Sequence, residues 1–398
     1  MSESKPNSIF ADRISQVPQS FIREILKVAT QPDVISFAGG LPNGDLFPID
    51  EIKNAANKVL EEKGKEALQY ANTEGYLPLR EYIAKRYLEK QGLQIDPKNI
   101  LITTGSQQGL DLLGKILLNE NDDVIMEEPG YLGAIQAFSV YRPNLIPVSV
   151  DDQGADCDQL RDAINQHNPK LFYTVPNFHN PSGITYCEEN RRQVANIVTG
   201  TRTLIIEDNP YGDLRFEGEA KSSFYKLAPK NTLLLGSFSK TIVPAFRTGW
   251  IVAPDDILEK LIIAKQAADL HSNYFAQRII HQYLIDNDLD VHIENIIKVY
   301  HQQKQIMMNA IKTHFPDNIQ HTNPEGGMFI WVTLPEPFSA MDLFNVCIKD
   351  KVAFVPGEPF YLNKAIKNTL RLNFSCSNKD SIEIGIKRLS SAINKLIK

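Results

Sequence analysis

One lysine is placed where an amine could do covalent chemistry. Lys240 ends the run LLLGSFSK, in which an apolar segment is followed by small hydroxyl residues, and Arg247 comes seven positions later in KTIVPAFRTGW. An amine that is desolvated and flanked by positive charge can lose its proton near neutral pH. It can then form an imine with an aldehyde, and it can act as a general base once it is released. The pattern predicts a nucleophilic lysine with anion-binding groups beside it.

Polar side chains also follow other apolar runs. TLIIEDNPY carries Asp208 and Tyr211, TVPNFHNPSG carries Asn180, and EEPGYLGA carries Tyr131. An aldehyde cofactor built on a pyridine ring with a phenolic oxygen would use each of these groups. A carboxylate beside the pyridine nitrogen keeps the ring protonated and able to accept electrons, and a hydroxyl and an amide can hold the phenolic oxygen. A tyrosine ring could stack on the pyridine face. Because the sites of open α/β sheets gather at strand ends, we expect these side chains to meet Lys240.

The segment ILITTGSQQGLDLLGKILL supplies the features of a phosphate site. It predicts a strand, a glycine turn and a helix that begins near Ser106, and the free N–H groups of the first turn favour an anion. Further donors come from side chains, among which arginine adds a fixed charge. The expected phosphate ligands are Ser106, Gln107, Ser237, Ser239 and Arg247. Together with the lysine, they predict a pyridoxal 5'-phosphate site.

Each of these residues also has an ordinary structural interpretation when it is taken alone. A lysine after a strand is usually solvated, and a serine at a strand-to-helix turn, such as Ser106, commonly caps the helix. Tyr131 could be a packed aromatic, and Arg371 could be an exposed charge on an alternating strand. The order of Asn180, Asp208 and Lys240 along one alternating α/β pattern favours the functional interpretation.

The composition is that of an ordinary globular chain. Of 398 residues 42% are apolar, the formal net charge is −6, and the charges are spread along the chain. We therefore expect two domains and no dedicated nucleic-acid surface. Neither a signal peptide nor an apolar run of the ~20 residues of a membrane span is found, and no histidine pair has zinc spacing. The four cysteines lack paired spacing, which favours reduced thiols, so a cytoplasmic protein without a metal is predicted.

Short β-rich runs alternate with helical patterns from about residue 100 to 255. This alternation predicts an α/β fold with a mostly parallel seven-stranded sheet in a large domain. The strands are expected at ILIT, DVIME, LIPVSV, LFYTV, TLIIE, LLLGSF and GWIVA. A smaller α+β domain is predicted from FIWVTL, VAFV, TLRLNF and a closing helix from Lys379. The predicted boundaries are an N-terminal arm over 1–45, which joins the small domain, a large domain over 46–285 and a small domain over 286–398.

Motifs in a fixed order give the chain a family resemblance. They run from SFAGGLPNGDLFP through QYANTEGYLPLR, TTGSQQGLDLL, EEPGY, NFHNPSG, EDNPYGDLRF, SFSKTIVPAFRTGW, PEGGMFIWVTLP and FVPGEPFY to LRLNFS. In these motifs the chain resembles the fold-type I pyridoxal phosphate enzymes. Within them it is similar to the class I and II aminotransferases, especially the branch of 2-aminoadipate and kynurenine aminotransferases.

The resemblance implies a role for each matching residue. Lys240 is expected to bind the cofactor aldehyde, Asp208 the ring nitrogen, and Asn180 and Tyr211 the phenolic oxygen. Tyr131 matches the stacking ring, and Ser106, Gln107, Ser237, Ser239 and Arg247 match the phosphate positions. Arg371 matches the arginine that binds the substrate α-carboxylate, and Tyr70 matches a tyrosine that reaches the phosphate of the neighbouring subunit. Asn180 is also expected to bind the substrate, and Gly40 resembles a position that lines it. Arg23 resembles a mobile arginine that meets acidic side chains, although an exposed helical arginine is the equal alternative.

The resemblance therefore implies a homodimer that transfers an amino group from an L-amino acid to a 2-oxo acid, with 2-oxoglutarate as the expected acceptor. The donor could be 2-aminoadipate-like, aromatic, branched or broad. One alternative is a lyase or decarboxylase of the same fold, which would share the cofactor site and differ in how the substrate is held. Another is the ligand-sensing domain of a transcription regulator, which is disfavoured because no basic helix-turn-helix pattern precedes SFAGGLP.

Overall fold

The computed structural model describes residues 9–15, 25, 31–362 and 366–397. Arg23, for which a substrate contact was predicted, lies outside these residues. The strands are β1 Ile35–Ser36, β2 Ile100–Thr104, β3 Asp123–Glu128, β4 Asn144–Ser149, β5 Leu171–Thr174, β6 Leu204–Asp208, β7 Thr232–Ser237, β8 Thr248–Val252, β9 Gln320–His321, β10 Phe329–Thr333, β11 Val352–Ala353, β12 Val355–Pro356 and β13 Thr369–Asn373.

The central sheet contains seven strands in the order β2-β8-β7-β6-β5-β3-β4. The four pairs from β7 to β4 are parallel, whereas β8 runs antiparallel to both of its neighbours. Strands β5, β7 and β8 are buried along their whole length, as continuous apolar runs in a sheet covered on both faces require. The predicted α/β fold with a mostly parallel seven-stranded sheet is confirmed.

The helices connect the strands and cover the sheet. Those of the described residues are α1 Asp12–Ser15, α2 Ile49–Ala67, α3 Leu77–Gln91, α4 Gly105–Leu117, α5 Leu132–Ser139, α6 Cys157–His167, α7 Glu188–Val198, α8 Phe224–Leu227, α9 Asp255–Gln266, α10 Tyr274–Asp286, α11 Leu289–His314, α12 Ala340–Cys347 and α13 Lys379–Ile397. Side-chain caps begin several of them; Asp156, for example, accepts hydrogen bonds from the backbone N–H groups of Asp158 and Gln159 in α6, both at 3.0 Å. In the part of the chain that the structure describes, no helix is both long and apolar enough to cross a membrane.

A second sheet follows the long helix α11. Strands β12, β13, β10 and β9 form an antiparallel sheet in that order, and α13 packs against α11 beside it. The N-terminal strand β1 pairs in parallel with β11 of this later part of the chain. The boundary predicted after residue 285 falls at the end of α10. The domain limits themselves stay a prediction.

Candidate active site

The polar residues singled out in the sequence lie at or just beyond the carboxyl ends of the parallel strands. Asp208 is the last residue of β6, Lys240 follows β7, and Asn180 follows β5. Tyr131 follows β3 and directly precedes α5. The carboxyl ends of parallel strands meet at one edge of a sheet, so residues far apart in the chain converge there.

Lys240 retains some solvent exposure, but its amine lies among protein atoms. The Nζ atom donates a 2.7 Å hydrogen bond to the carbonyl oxygen of Gly40 and lies 5.8 Å from the centre of the Tyr211 ring. Burial, reinforced by the positive charges of Arg371 and Arg247, lowers the pKa of Lys240 to about 8. The amine can therefore be neutral, and hence nucleophilic or basic, close to physiological pH.

Asp208 is buried and uses only one of its two carboxylate oxygens. Oδ2 accepts a 2.8 Å hydrogen bond from the hydroxyl of Tyr173, while Oδ1 is buried without a hydrogen-bond partner among the described residues. Burial raises the pKa of Asp208 to about 7, and the bond from Tyr173 opposes that rise. A buried carboxylate oxygen with no partner is costly. A protonated heterocyclic nitrogen would satisfy Oδ1.

Asn180, Tyr211 and Arg371 form one hydrogen-bonded group. The Asn180 amide donates to the Tyr211 hydroxyl at 3.2 Å and accepts from Nη1 of Arg371 at 2.7 Å. Nη2 of the arginine donates to the carbonyl oxygen of Ala38 at 2.8 Å. The guanidinium lies 4.4 Å from the centre of the Phe329 ring. Burial lowers the pKa of Arg371 to about 10, so it stays charged at neutral pH and can bind a carboxylate.

Hydroxyl groups, an arginine and a helix start meet beyond β2 and β7. Ser237 donates to Ser239 at 2.9 Å, and Arg247 donates to the same Ser239 hydroxyl at 3.3 Å. The guanidinium of Arg247 packs against Gly105 so closely that a Cβ atom there would collide with it. Helix α4 begins at Gly105 without a side-chain cap, so Ser106 lies in its first turn and is not the capping residue. This arrangement of hydroxyls, amides and positive charge suits a phosphate.

Tyr131 and Gln107 are linked to this group from the side of β3. The Tyr131 ring stacks near Tyr173, with the ring centres 6.4 Å apart and an interplanar angle of 25°. The Gln107 amide donates a 2.7 Å hydrogen bond to the carbonyl oxygen of Gly133, on the helix that Tyr131 precedes. Burial raises the pKa of the Tyr131 hydroxyl to about 12, and the charges of Asp208, Arg371 and Arg247 also act on it. The charges of Asp208 and of both arginines therefore reach the Tyr131 hydroxyl.

Tyr70 is not brought to this site within the protomer. It lies three residues beyond α2, is 81% exposed, and makes an edge-on contact with the His271 ring at 5.9 Å. Its position is compatible with the expectation that it reaches a neighbouring subunit.

The sequence interpretation missed several residues that touch the site. Tyr173 resembles an ordinary core residue within LFYTV, and only its spacing from Asp208 in the folded sheet reveals a partner. The role of the Ala38 backbone carbonyl could not be predicted, because every residue has such a carbonyl. Phe329 and Phe360, whose rings lie 4.4 and 5.4 Å from the Arg371 guanidinium, come from separate segments. The motifs PEGGMFIWVTLP and FVPGEPFY contain both phenylalanines, and these motifs were the signal available.

The chain belongs to the family of class I and II aminotransferases, whose model matches residues 32–389. An aromatic-amino-acid aminotransferase of Thermococcus litoralis is 39% identical over 98% of this chain and 95% of the relative. A kynurenine aminotransferase of Pyrococcus horikoshii, solved with PMP, superposes with a TM-score of 0.94 at 39% identity and 98% coverage of both chains. The α-aminoadipate aminotransferase of Thermus thermophilus, complexed with N-(5'-phosphopyridoxyl)-L-leucine, gives a TM-score of 0.91 at 38% identity and 98% coverage of both chains.

This protein is a pyridoxal phosphate-dependent aminotransferase of fold type I, in the branch of the 2-aminoadipate and kynurenine enzymes. Relatives at 39% identity are named as aminotransferases, which favours transamination over the alternatives of a lyase, a decarboxylase and a regulator's sensing domain. The residues present fit the cofactor, because Asp208 has a buried oxygen to offer a ring nitrogen and Gly105 lets the Arg247 guanidinium pack against the start of α4. When bound, the cofactor supplies an aldehyde for an amine and a ring that accepts electrons.

Proposed function

We propose that this site transfers the amino group of a 2-aminoadipate-like, aromatic or branched L-amino acid to a 2-oxo acid, with 2-oxoglutarate as the acceptor. Three kinds of relative support this donor range: an aromatic-amino-acid enzyme, a kynurenine enzyme, and an aminoadipate enzyme whose bound ligand carries leucine. All three donors share one α-amino-carboxylate group and differ in the side chain.

The observation that carries the proposal is that the Lys240 amine and the Arg371 guanidinium both lie next to Gly40. The amine of Lys240 contacts the Gly40 carbonyl at 2.7 Å, and a Cβ atom added to Gly40 would lie 4.0 Å from Nη2 of Arg371. Arg371 holds the α-carboxylate with its planar fork, and Asn180 and Phe329 fix that fork in place. The α-carbon is thereby directed toward the lysine amine. Lys240 then moves the α-proton as general base.

The proposal keeps the remaining roles that were predicted from the sequence. Asp208 binds the ring nitrogen, Asn180 and Tyr211 donate to the phenolic oxygen, and Tyr131 stacks on the ring. The phosphate lies among Ser106, Gln107, Ser237, Ser239 and Arg247, and Tyr70 of a second subunit completes it in a homodimer. Gly40 lines the substrate, and Arg23 meets acidic side chains.

The test is a panel of amino donors assayed against 2-oxoglutarate by glutamate formation. The panel contains L-2-aminoadipate, L-kynurenine, L-phenylalanine and L-leucine, with L-lysine as a donor outside the proposed range. We expect the first four to be used and lysine to be used at least about tenfold less well in kcat/KM. Glutamate from none of the four would refute the donor range or the acceptor, and product formation with another 2-oxo acid would locate the error in the acceptor.

The variant Arg371→Ala tests whether Arg371 binds the α-carboxylate that all donors share or the side chain in which they differ. Loss of a bidentate, charge-assisted contact should raise KM for every donor by roughly a hundredfold, because all donors share the α-carboxylate. Arg371→Lys keeps the charge but not the fork, and we expect an intermediate loss. Losses that depend on the donor side chain would move Arg371 out of its assigned role.

A further inference from the structure

Tyr173 contacts two of the cofactor-facing residues at once. It lies in the fully buried strand β5, paired with Met126 of β3 and Ile206 of β6. Its hydroxyl donates to Oδ2 of Asp208 at 2.8 Å, and its ring stacks near that of Tyr131. Tyr173 is fully buried, and its ring also makes an edge-on contact with the Phe138 ring, with the centres 6.1 Å apart.

The hydrogen bond from Tyr173 acts on both the charge and the orientation of Asp208. Burial disfavours the charged carboxylate, and a hydrogen bond donated to the carboxylate favours it. Because Oδ2 is held, Oδ1 remains as the oxygen without a partner among the described residues. Burial, followed by the charge of Asp208, raises the pKa of the Tyr173 phenol well above its ordinary value, so the phenol keeps its proton and stays the donor.

We propose that Tyr173 is a positioning residue for transamination: its hydroxyl keeps Asp208 charged and turned so that Oδ1 faces the ring nitrogen of the cofactor, and its ring supports Tyr131. This inference rests on the role proposed above for Asp208. It implies that the Tyr173 hydroxyl strengthens cofactor binding only when the cofactor ring contains a nitrogen.

The experiment compares the affinity of the apoenzyme for two ligands. One is pyridoxal 5'-phosphate, and the other is its carbocyclic analogue, in which C–H replaces the ring nitrogen. The tested variant is Tyr173→Phe, which removes the hydroxyl and keeps the ring. The control is Tyr186→Phe, because Tyr186 is also fully buried and donates to a fully buried carboxylate, Glu127, at 2.6 Å, outside the proposed site.

Wild-type protein should bind the cofactor at least about tenfold more tightly than the analogue, since only the cofactor pairs with a buried carboxylate. Tyr173→Phe should weaken cofactor binding about tenfold and change analogue binding less than about twofold. Tyr186→Phe should leave both affinities within about twofold of wild type, although it removes a comparable buried hydrogen bond.

Three results would overturn the inference, and they differ in what else they overturn. A wild-type protein that binds both ligands equally would refute the role of Asp208 and with it that of Tyr173. Discrimination that is present in wild type and unchanged in Tyr173→Phe would refute Tyr173 alone. An equal loss of both affinities in Tyr173→Phe would show a packing role without positioning.

A second substitution covers the case in which Tyr173→Phe does not fold. Incorporation of 3-fluorotyrosine at position 173 keeps the shape of the side chain and makes its hydroxyl a stronger donor. We expect the discrimination between the two ligands to increase at least about twofold. An unchanged or smaller discrimination would contradict the inference.

Discussion

At the scale of residues, the site depends on a lysine amine whose proton is weakly held. Lys240 is surrounded by protein atoms and lies near two arginines, and both effects disfavour its charged form. Its hydrogen bond to the Gly40 carbonyl keeps the amine at a defined place without supplying a negative charge. An amine in this state reacts at a pH at which ordinary lysines are protonated.

The charge state of Lys240 can be measured in the apoenzyme by pulse labelling with acetic anhydride and mass spectrometry. Labelling of Lys240 should rise with pH around a midpoint near 8, because the neutral amine predominates above its pKa. Arg371→Ala removes a neighbouring positive charge, so the midpoint should move upward. A wild-type midpoint at the ordinary lysine value, or a downward shift in the variant, would contradict this electrostatic account.

At the scale of elements, the turn between β2 and α4 brings together the protein groups that are proposed to bind the phosphate. Gln108 of α4 accepts hydrogen bonds from the backbone N–H of Thr104 at 2.7 Å and from the buried Lys265 at 2.9 Å. Gly105 has a φ of +72°, a conformation that favours glycine, and packs against the Arg247 guanidinium. The turn thus couples the helix start to the arginine.

Gly105→Ala should displace Arg247 and weaken cofactor binding by about tenfold or more, because the fixed charge leaves the phosphate. Gly92→Ala is the matched control: Gly92 has a φ of +66°, and no neighbouring heavy atom lies within 4 Å of an added Cβ. Both substitutions should cost about 1 kcal/mol of stability from backbone strain, measured by thermal unfolding. Equal cofactor affinities in the two variants would contradict the role of Gly105.

The elements themselves could be predicted well from the sequence. The seven strands predicted for the central sheet match the observed ones, and the closing helix begins at Lys379 as expected, because long apolar periodic patterns specify such elements. The single strand predicted at VAFV is wrong: it divides into β11 and β12, which pair in different sheets. The helix expected near Ser106 begins at Gly105. Tyr173 was not predicted as a site residue because it lies in an apolar run that is typical of a buried strand. The partner of its hydroxyl, Asp208, lies on the neighbouring strand and cannot be inferred from the local sequence. The contact of Arg371 with the Ala38 carbonyl was not predicted, because backbone contacts depend on the fold alone.

At the scale of the whole molecule, the exposed position of Tyr70 is compatible with the proposed homodimer. Tyr70 and nearby Leu68 are 81% and 68% exposed, and Leu270, next to the His271 that Tyr70 contacts, is 55% exposed. Contiguous exposed apolar surface is a feature of protein contacts. The proposed homodimer would cover them and bring Tyr70 to the partner's phosphate.

Sedimentation equilibrium at micromolar concentration should give twice the monomer mass. Tyr70→Phe should keep that mass and the ring contact with His271, yet weaken cofactor binding several-fold, because a phosphate hydrogen bond is lost. A fully active monomer would contradict the dimer, and unchanged cofactor affinity in a dimeric Tyr70→Phe would contradict the phosphate contact.

The proposed function depends above all on Lys240 as the amine that bonds to the cofactor aldehyde. The most direct measurement is reduction of the cofactor-loaded enzyme with borohydride, followed by peptide mass spectrometry. We predict a single phosphopyridoxyl group on Lys240, and no stable label in Lys240→Ala. A label on any other lysine, or an unlabelled Lys240 in active enzyme, would contradict this role of Lys240.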